Sequence, residues 1–367
     1  MYPIALGIQK DSSGKHMSTI LLTPFMVFVT LFMLLSWNAD QAFAQTMPAD
    51  LQEFLQRKIG LSQNDITKCN RDVVVTQVAM HDEPREIAVF AIVRMDAPQD
   101  VFISRFRQID RFMKNDKLHQ IGIFSNPPKT EDLSTLQLPE SDFEEMARCT
   151  LGNCKVKFPA ETLQRLQKID WSVQDATDSA MGLFRKSCVD YVRAYGEKGN
   201  ATLMVYADKE KPMTLTEGFE LLLSQGAYLY RSDPVLMSYL KDFSRPPPQG
   251  VEDFFFWSLE DFGQRPTFTI TQAAIYEKRQ EDNATHMIAL KQIYASHYFQ
   301  ARLQLMDLVT ASPESTEPAF YLLYLDRLRF DMDVNTVKRM LISKGLRSHV
   351  TSWLRLLRNT LQDKKVN

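Results

Sequence analysis

Hydrophobic and polar positions repeat with two different periods in the last third of the chain. Phe268–Tyr276 (FTITQAAIY) and Met287–Phe299 (MIALKQIYASHYF) are dominated by β-branched and aromatic residues, with turn-like Glu281-Asp282-Asn283 between them. Ala301-Arg302-Leu303-Gln304-Leu305 alternates as a half-buried strand does, and Phe320–Leu325 (FYLLYL) is apolar on both faces. The period then changes: Leu346, Val350, Trp353, Leu357 and Leu361 recur at steps of four, three, four and four, forming one stripe of a long helix in which Gly345 is a candidate break. The pattern predicts three or four antiparallel strands feeding a closing helix, with an apolar cavity enclosed between them.

Upstream, Pro48–Ile59 reads as a helix stopped by Gly60, and Val73–Val78 and Ile87–Met95 read as a hairpin. Ala97-Pro98 opens a helix carrying Val101, Phe102, Phe106, Ile109 and Phe112, and Leu118–Phe124 is a short strand closed by Asn126-Pro127-Pro128. In the middle, Glu140–Ala147, Ala160–Ile169, Ser179–Tyr195, Leu215–Leu223 and Pro234–Phe243 have helical spacing, while Ala201–Tyr206 is a candidate strand. Arg245-Pro246-Pro247-Pro248-Gln249-Gly250 reads as a rigid turn or linker.

The run Phe90-Ala91-Ile92-Val93-Arg94-Met95-Asp96-Ala97-Pro98-Gln99-Asp100-Val101-Phe102 resembles the opening of START-like proteins, the helix-grip superfamily, in which a strand leads through an Ala-Pro turn into the first helix. The C-terminal strands and helix resemble the other end of that fold. The resemblance covers about Val73–Phe124 and Pro266–Leu361; it implies an α+β fold with a curved antiparallel sheet gripping the C-terminal helix, and a cavity for a lipid or other apolar ligand beneath that helix. The Cys-x-x-Gly-x-Cys and Ser-His-Tyr-Phe segments are also similar to those of uncharacterised exported bacterial proteins, and no function follows from that likeness. The expected layout is a leader at 1–44, the first part of the START-like domain at 45–128, a mostly helical insertion at 129–265, and the closing strands and helix at 266–367.

Compartment is read from the front of the chain. Ile20–Trp37 carries no charge, Lys10, Lys15 and His16 precede it, and Ala42-Phe43-Ala44 has the small-x-small form of a signal-peptidase site, so cleavage is expected before Gln45. The alternative is an uncleaved anchor. Of 367 residues, removal of 44 leaves 323, enough for a substantial core, and the protein is expected in the periplasm or outside the cell. A formal net charge of −2 gives no pull toward nucleic acid. Four cysteines in an oxidising compartment suggest two disulfides; the Gly-Asn turn inside Cys149-Thr-Leu-Gly-Asn-Cys154 favours a local bridge, and Cys69–Cys188 follows by elimination, with buried thiols as the alternative.

Few residues point to chemistry. His297, between Ser296 and Tyr298 in a strand-like run, is a candidate base or ligand-orienting donor with Asp326 or Asp307 as partner, or else an inert hydrogen-bonded residue inside the sheet. Asp326-Arg327-Leu328-Arg329-Phe330-Asp331 could grip an anionic headgroup or form a self-paired, solvated strand end. Asp253-Phe254-Phe255-Phe256-Trp257 is either an exposed partner patch or a buried wedge, the second being favoured. Lys338, Arg339, Lys344, Arg347, Arg355 and Arg358 surround the stripe of the closing helix; such a helix rests on anionic lipid or simply has one face in the core and one in water. No phosphate loop, nucleophile elbow, metal-ligand pair or cofactor motif is present. The expected function is therefore carriage of a lipid-like or other apolar ligand, with His297, Tyr298, Tyr324, Asp326, Arg327 and Trp353 as candidate contacts. The alternatives are an envelope interaction module with a filled cavity, and an enzyme using His297 in an acid/base role.

Overall fold

In the computed structural model, residues 47–77, 83–225, 233–243, 246–263, 265–280, 283–311 and 318–362 are described. The apolar N-terminal run, its expected cleavage site and the Glu281-Asp282 turn lie outside them. In chain order the elements are α1 (Ala49–Phe54, continued by a wider turn to Ile59), α2 (Gln63–Cys69), β1 (Val74–Gln77), β2 (Glu86–Met95), α3 (Gln99–Phe106), α4 (Ile109–Phe112) and β3 (Leu118–Ile123). Next come α5 (Glu140–Met146), α6 (Ala160–Leu166), α7 (Ala176–Lys198), the short pair β4 (Val205–Tyr206) and β5 (Met213–Thr214), α8 (Leu215–Gln225) and α9 (Pro234–Asp242). The chain finishes with β6 (Val251–Asp261), β7 (Pro266–Gln280), β8 (Asn283–Ala295), β9 (Phe299–Thr310), β10 (Phe320–Phe330) and α10 (Thr336–Gln362).

The main sheet has the order β1-β2-β10-β9-β8-β7-β6-β3, and every neighbouring pair is antiparallel. The fold is thus α+β, a large antiparallel sheet with a C-terminal helix. The strand before the Ala-Pro turn is not confined to a hairpin with β1, because its other edge pairs with the last strand, Phe320 opposite Met95 and Leu328 opposite Ile87. The aromatic run Asp253–Trp257 is sheet, half-buried at Asp253 and Phe254 and buried from Phe255 to Trp257, paired with β7 throughout and with β3 at Phe256 and Trp257. It lies inside the span expected to be a helical insertion.

The two larger of three cores lie on opposite faces of the sheet, as the two-residue side-chain repeat of a strand requires. Along β10, Tyr321, Leu323 and Leu325 enter one core, with Phe184, Val192 and Leu240 of the middle helices. Phe320, Leu322 and Tyr324 enter the other, with Phe102 and Phe106 of α3 and Val350, Trp353, Leu354, Leu357 and Leu361 of α10. The predicted stripe is therefore the buried face of α10, except that Leu346 is only partly buried, and the helix runs unbroken through Gly345.

Candidate functional site

A cavity of about 1000 Å³ opens on the face of the sheet away from α10. Its walls come from α6, α7 and the segment from Ala201 to Ala207, and its floor from Ile270 of β7 and Tyr294 of β8. α7 presents Ala180, Phe184, Cys188 and Val192 inward at steps of four, so one helical stripe meets the sheet. Phe184 packs edge-on against Phe268 at 5.1 Å and Phe158 at 6.0 Å between ring centres, which holds the inner wall rigid.

Polar groups inside are already engaged. Tyr191 donates its hydroxyl to the carbonyl of Ile293 at 2.8 Å and accepts from the backbone N–H of Met204 at 3.3 Å. Tyr294 donates to the carbonyl of Lys157 at 2.8 Å. Burial pushes both phenols and the Cys188 thiol above their ordinary titration range, so these groups stay neutral around pH 7. Formal charge collects at the rim, where Arg165 pairs with Glu161 at 2.6 Å and Lys209 with Asp331 at 3.2 Å. An apolar interior with a charged mouth suits a ligand that has one long apolar part.

The Cys149–Cys154 bridge forms as expected and anchors the mouth. Within its loop Gly152 adopts φ 80°, a conformation that glycine tolerates, and donates its N–H to Ala207 at 2.9 Å; Cys154 donates to Asp208 at 2.9 Å. Cys69 and Cys188, expected to pair, are instead separate buried thiols, a correction to the elimination step. Cys69 ends α2 with its thiol donating to the Ile66 carbonyl at 2.9 Å, whereas Cys188 faces the cavity from α7. An even cysteine count carries no geometry.

The six candidate contacts fall in three places, and none lines this cavity. His297 and Tyr298 sit in the tight connection between β8 and β9, where Tyr298 has φ 61°, and are not strand residues. The partner of His297 is Asp142 of α5, with Nε2 3.2 Å from Oδ1, and neither Asp326 nor Asp307. The other ring nitrogen meets the Lys155 carbonyl at 3.0 Å, so the imidazole fastens α5 and its following loop to the sheet. Tyr324 and Asp326 lie beneath α10, which itself carries Trp353. There Arg302 holds Asp326 through Nε–Oδ1 at 3.0 Å and Nη2–Oδ2 at 2.7 Å, and Trp353 packs on Tyr324 at 5.3 Å between ring centres. The void lined there by Arg302, Tyr324, His349 and Trp353 is about 20 Å³, the space of a single water.

Arg327 lies on the opposite face, fully buried. Its Nε donates to Glu86 at 2.8 Å and its Nη1 to the carbonyl of Leu222 in α8. The charged end of β10 is therefore not solvated; Asp326, Arg327 and Arg329 are each no more than 1% exposed. A buried guanidinium without its carboxylate is costly, so the pairing with strand β2 is what permits the burial.

Sequence reading missed a further buried cation, Lys291 of β8. It donates to the Asn200 side-chain carbonyl at 2.7 Å and the Leu240 carbonyl at 2.9 Å, with the Phe219 ring 4.8 Å away. Burial pushes its ammonium down to about 7. Only its inward register on β8 hinted at burial, and nothing nearby in sequence signals its two carbonyl acceptors. Among the described residues no group of three or more His, Cys, Asp or Glu side chains is placed to hold a metal, and no helix is long and apolar enough to cross a membrane. No protein-family model, curated protein or solved structure matches this chain.

Proposed function

We propose that this protein is an exported carrier that shields a lipid-like or other apolar molecule from water in the cavity between α7 and the sheet. The observation that carries the reading is the 1000 Å³ space walled by Phe158, Phe184, Leu203, Ile270 and Tyr294, whose hydroxyl is already engaged. Removing about 500 Å² of ligand surface from water would contribute roughly 12 kcal/mol, of which about 8 kcal/mol remains after a cost of about 4 kcal/mol for immobilising the ligand. Micromolar affinity is thus within reach without any charged anchor.

A START-like, helix-grip fold is part of the same proposal. It is supported by the strand before the Ala-Pro turn pairing with the last strand, and by the long helix that follows and packs on β2 and β1, with Trp353 against Tyr324 of the last strand. The ligand site differs from the one the resemblance implies, because the charged cluster of Arg302, Asp326 and Tyr324 occupies the space under α10. The disulfide and the apolar N-terminal run support export.

Native mass spectrometry of the chain purified from a bacterial envelope, followed by uptake of a fluorescent fatty-acid probe, tests the reading. We expect a retained lipid-like mass or micromolar probe uptake, reduced at least tenfold by Ala160→Trp, which places an indole in the cavity mouth. Apo mass, together with no uptake from a total lipid extract, would overturn it.

A further inference from the structure

We propose that the N-terminal half of α10 docks on an anionic lipid surface. Over its 27 residues α10 carries Lys338, Arg339, Lys344, Arg347, Arg355 and Arg358 and no aspartate or glutamate. Some of these charges are committed to the fold. Arg339 reaches the carbonyls of Glu83 and Glu86, Arg355 holds the Asp72 carboxylate at 2.6 Å, and Arg358 reaches the Arg71 carbonyl. Arg347 has one long contact, 3.3 Å to the Val75 carbonyl, and Lys338 and Lys344 are exposed with no ion pair among the described residues.

Apolar exposure concentrates at the same end. Met332, Val337, Met340 and Leu341 are 59–63% exposed, the highest values of any large hydrophobic residue described. Val337, Leu341, Lys344 and Ser348 follow one line of the helix at steps of four, three and four, with Met340 beside them, so apolar and cationic side chains share one outward face. Four such residues within ten positions are a feature of surfaces that meet another phase or partner.

Beside this face runs a groove of about 590 Å³, between Lys68, Val73 and Val75 on one side and Ser343, Lys344 and Arg347 on the other. The nearby acid, Asp72, is taken by Arg355 and held down to about 2 by that contact. A groove edged by the exposed cations Lys68, Lys344 and Arg347 suits the phosphodiester of a lipid headgroup, while the apolar side chains alongside suit the acyl boundary. Nucleic acid offers no counterpart to the second feature.

The test places an environment-sensitive fluorophore on Met340→Cys in the full-length chain, whose other unpaired thiols, Cys69 and Cys188, are buried. Vesicles of phosphatidylcholine with 30% phosphatidylglycerol should shift the label to the blue, and vesicles of phosphatidylcholine alone should not. With each exposed cation contributing about fivefold to partitioning, Lys338→Gln/Lys344→Gln/Arg347→Gln should weaken the response on the order of 100-fold, and 0.5 M salt should weaken it as well. Val337→Ser/Leu341→Ser should reduce the shift while leaving the salt dependence. A label that stays in water on anionic vesicles, or a shift the triple substitution does not change, would overturn the proposal, as would a shift that appears without vesicles on raising protein concentration, which would reveal a second copy as the occupant.

Discussion

Replacement of Lys291 by methionine should reverse its effect on stability between neutral and alkaline pH. In the folded protein burial holds the ammonium down to about 7, against 10.5 for the ordinary side chain. Between those values the unfolded chain binds a proton that the folded chain largely lacks, so wild-type stability rises with pH across that window. One such group gives about 1.4 kcal/mol per pH unit, and from pH 7 to pH 10 roughly 3–4 kcal/mol. Methionine of similar length removes the burial penalty, about 4 kcal/mol at pH 7, and forfeits two hydrogen bonds worth about 1 kcal/mol each. The Leu240 carbonyl keeps the Asn200 amide at 3.4 Å, and the Asn200 carbonyl shares the single Tyr195 hydroxyl proton, at 3.2 Å, with Gln272 at 2.9 Å. Lys291→Met should therefore be about 2 kcal/mol more stable at pH 7 and about 1 kcal/mol less stable at pH 10. Urea unfolding of both proteins at each pH unit from 7 to 10 measures this. Lys157, whose burial lowers it to about 8, contributes a similar slope to both proteins and cancels in the difference. Parallel stability curves would refute the reasoning, because they would mean that Lys291 is solvated or charged in the folded protein.

Two further predictions follow from buried and covalent contacts. Arg327→Met strands the Glu86 carboxylate and should cost about 3–5 kcal/mol in urea unfolding, whereas Glu86→Gln/Arg327→Met should recover most of that loss; equal instability of the single and double variants would argue against the pairing. Cys149→Ser/Cys154→Ser opens a loop of sequence separation 5, which should lower stability by roughly 2 kcal/mol and, by loosening the backbone contacts of Gly152 and Cys154 at the cavity mouth, weaken probe uptake. Unchanged uptake in a folded variant would separate the bridge from the site.

α10 was legible because its burial is periodic, with Val350, Trp353, Leu357 and Leu361 on one face, and the closing strands from Phe268 onward because β-branched and aromatic runs mark them even where both faces are covered. β6 was not, since Phe254-Phe255-Phe256-Trp257 is apolar without alternation and a strand covered on both faces leaves no period to read. The burial of Asp326 and Arg327 was hidden for a different reason. Arg302 is 24 residues away and Glu86 is 241, and local sequence cannot show that a charge will find its partner across a sheet. His297 looked like strand, but the positive φ of Tyr298 makes a tight turn there and hands the imidazole to Asp142, 155 residues upstream. The large cavity escaped because its lining comes from several segments between Leu151 and Tyr294, each an ordinary amphipathic element alone.

The pairing of β2 with β10 sets an order of events for the nascent polypeptide. Synthesis proceeds from the N-terminus at about 5–20 residues per second, so the ten apolar-rich residues Glu86–Met95 wait roughly 10–45 s for the partner that begins at Phe320. During that interval the strand has only the four residues of β1 to cover one edge, and its other row of amide and carbonyl groups stands open. Productive assembly is consequently a race between the arrival of the last strand and intermolecular sheet formation, one that a holdase chaperone or dilution would win and a truncation before Phe320 would always lose.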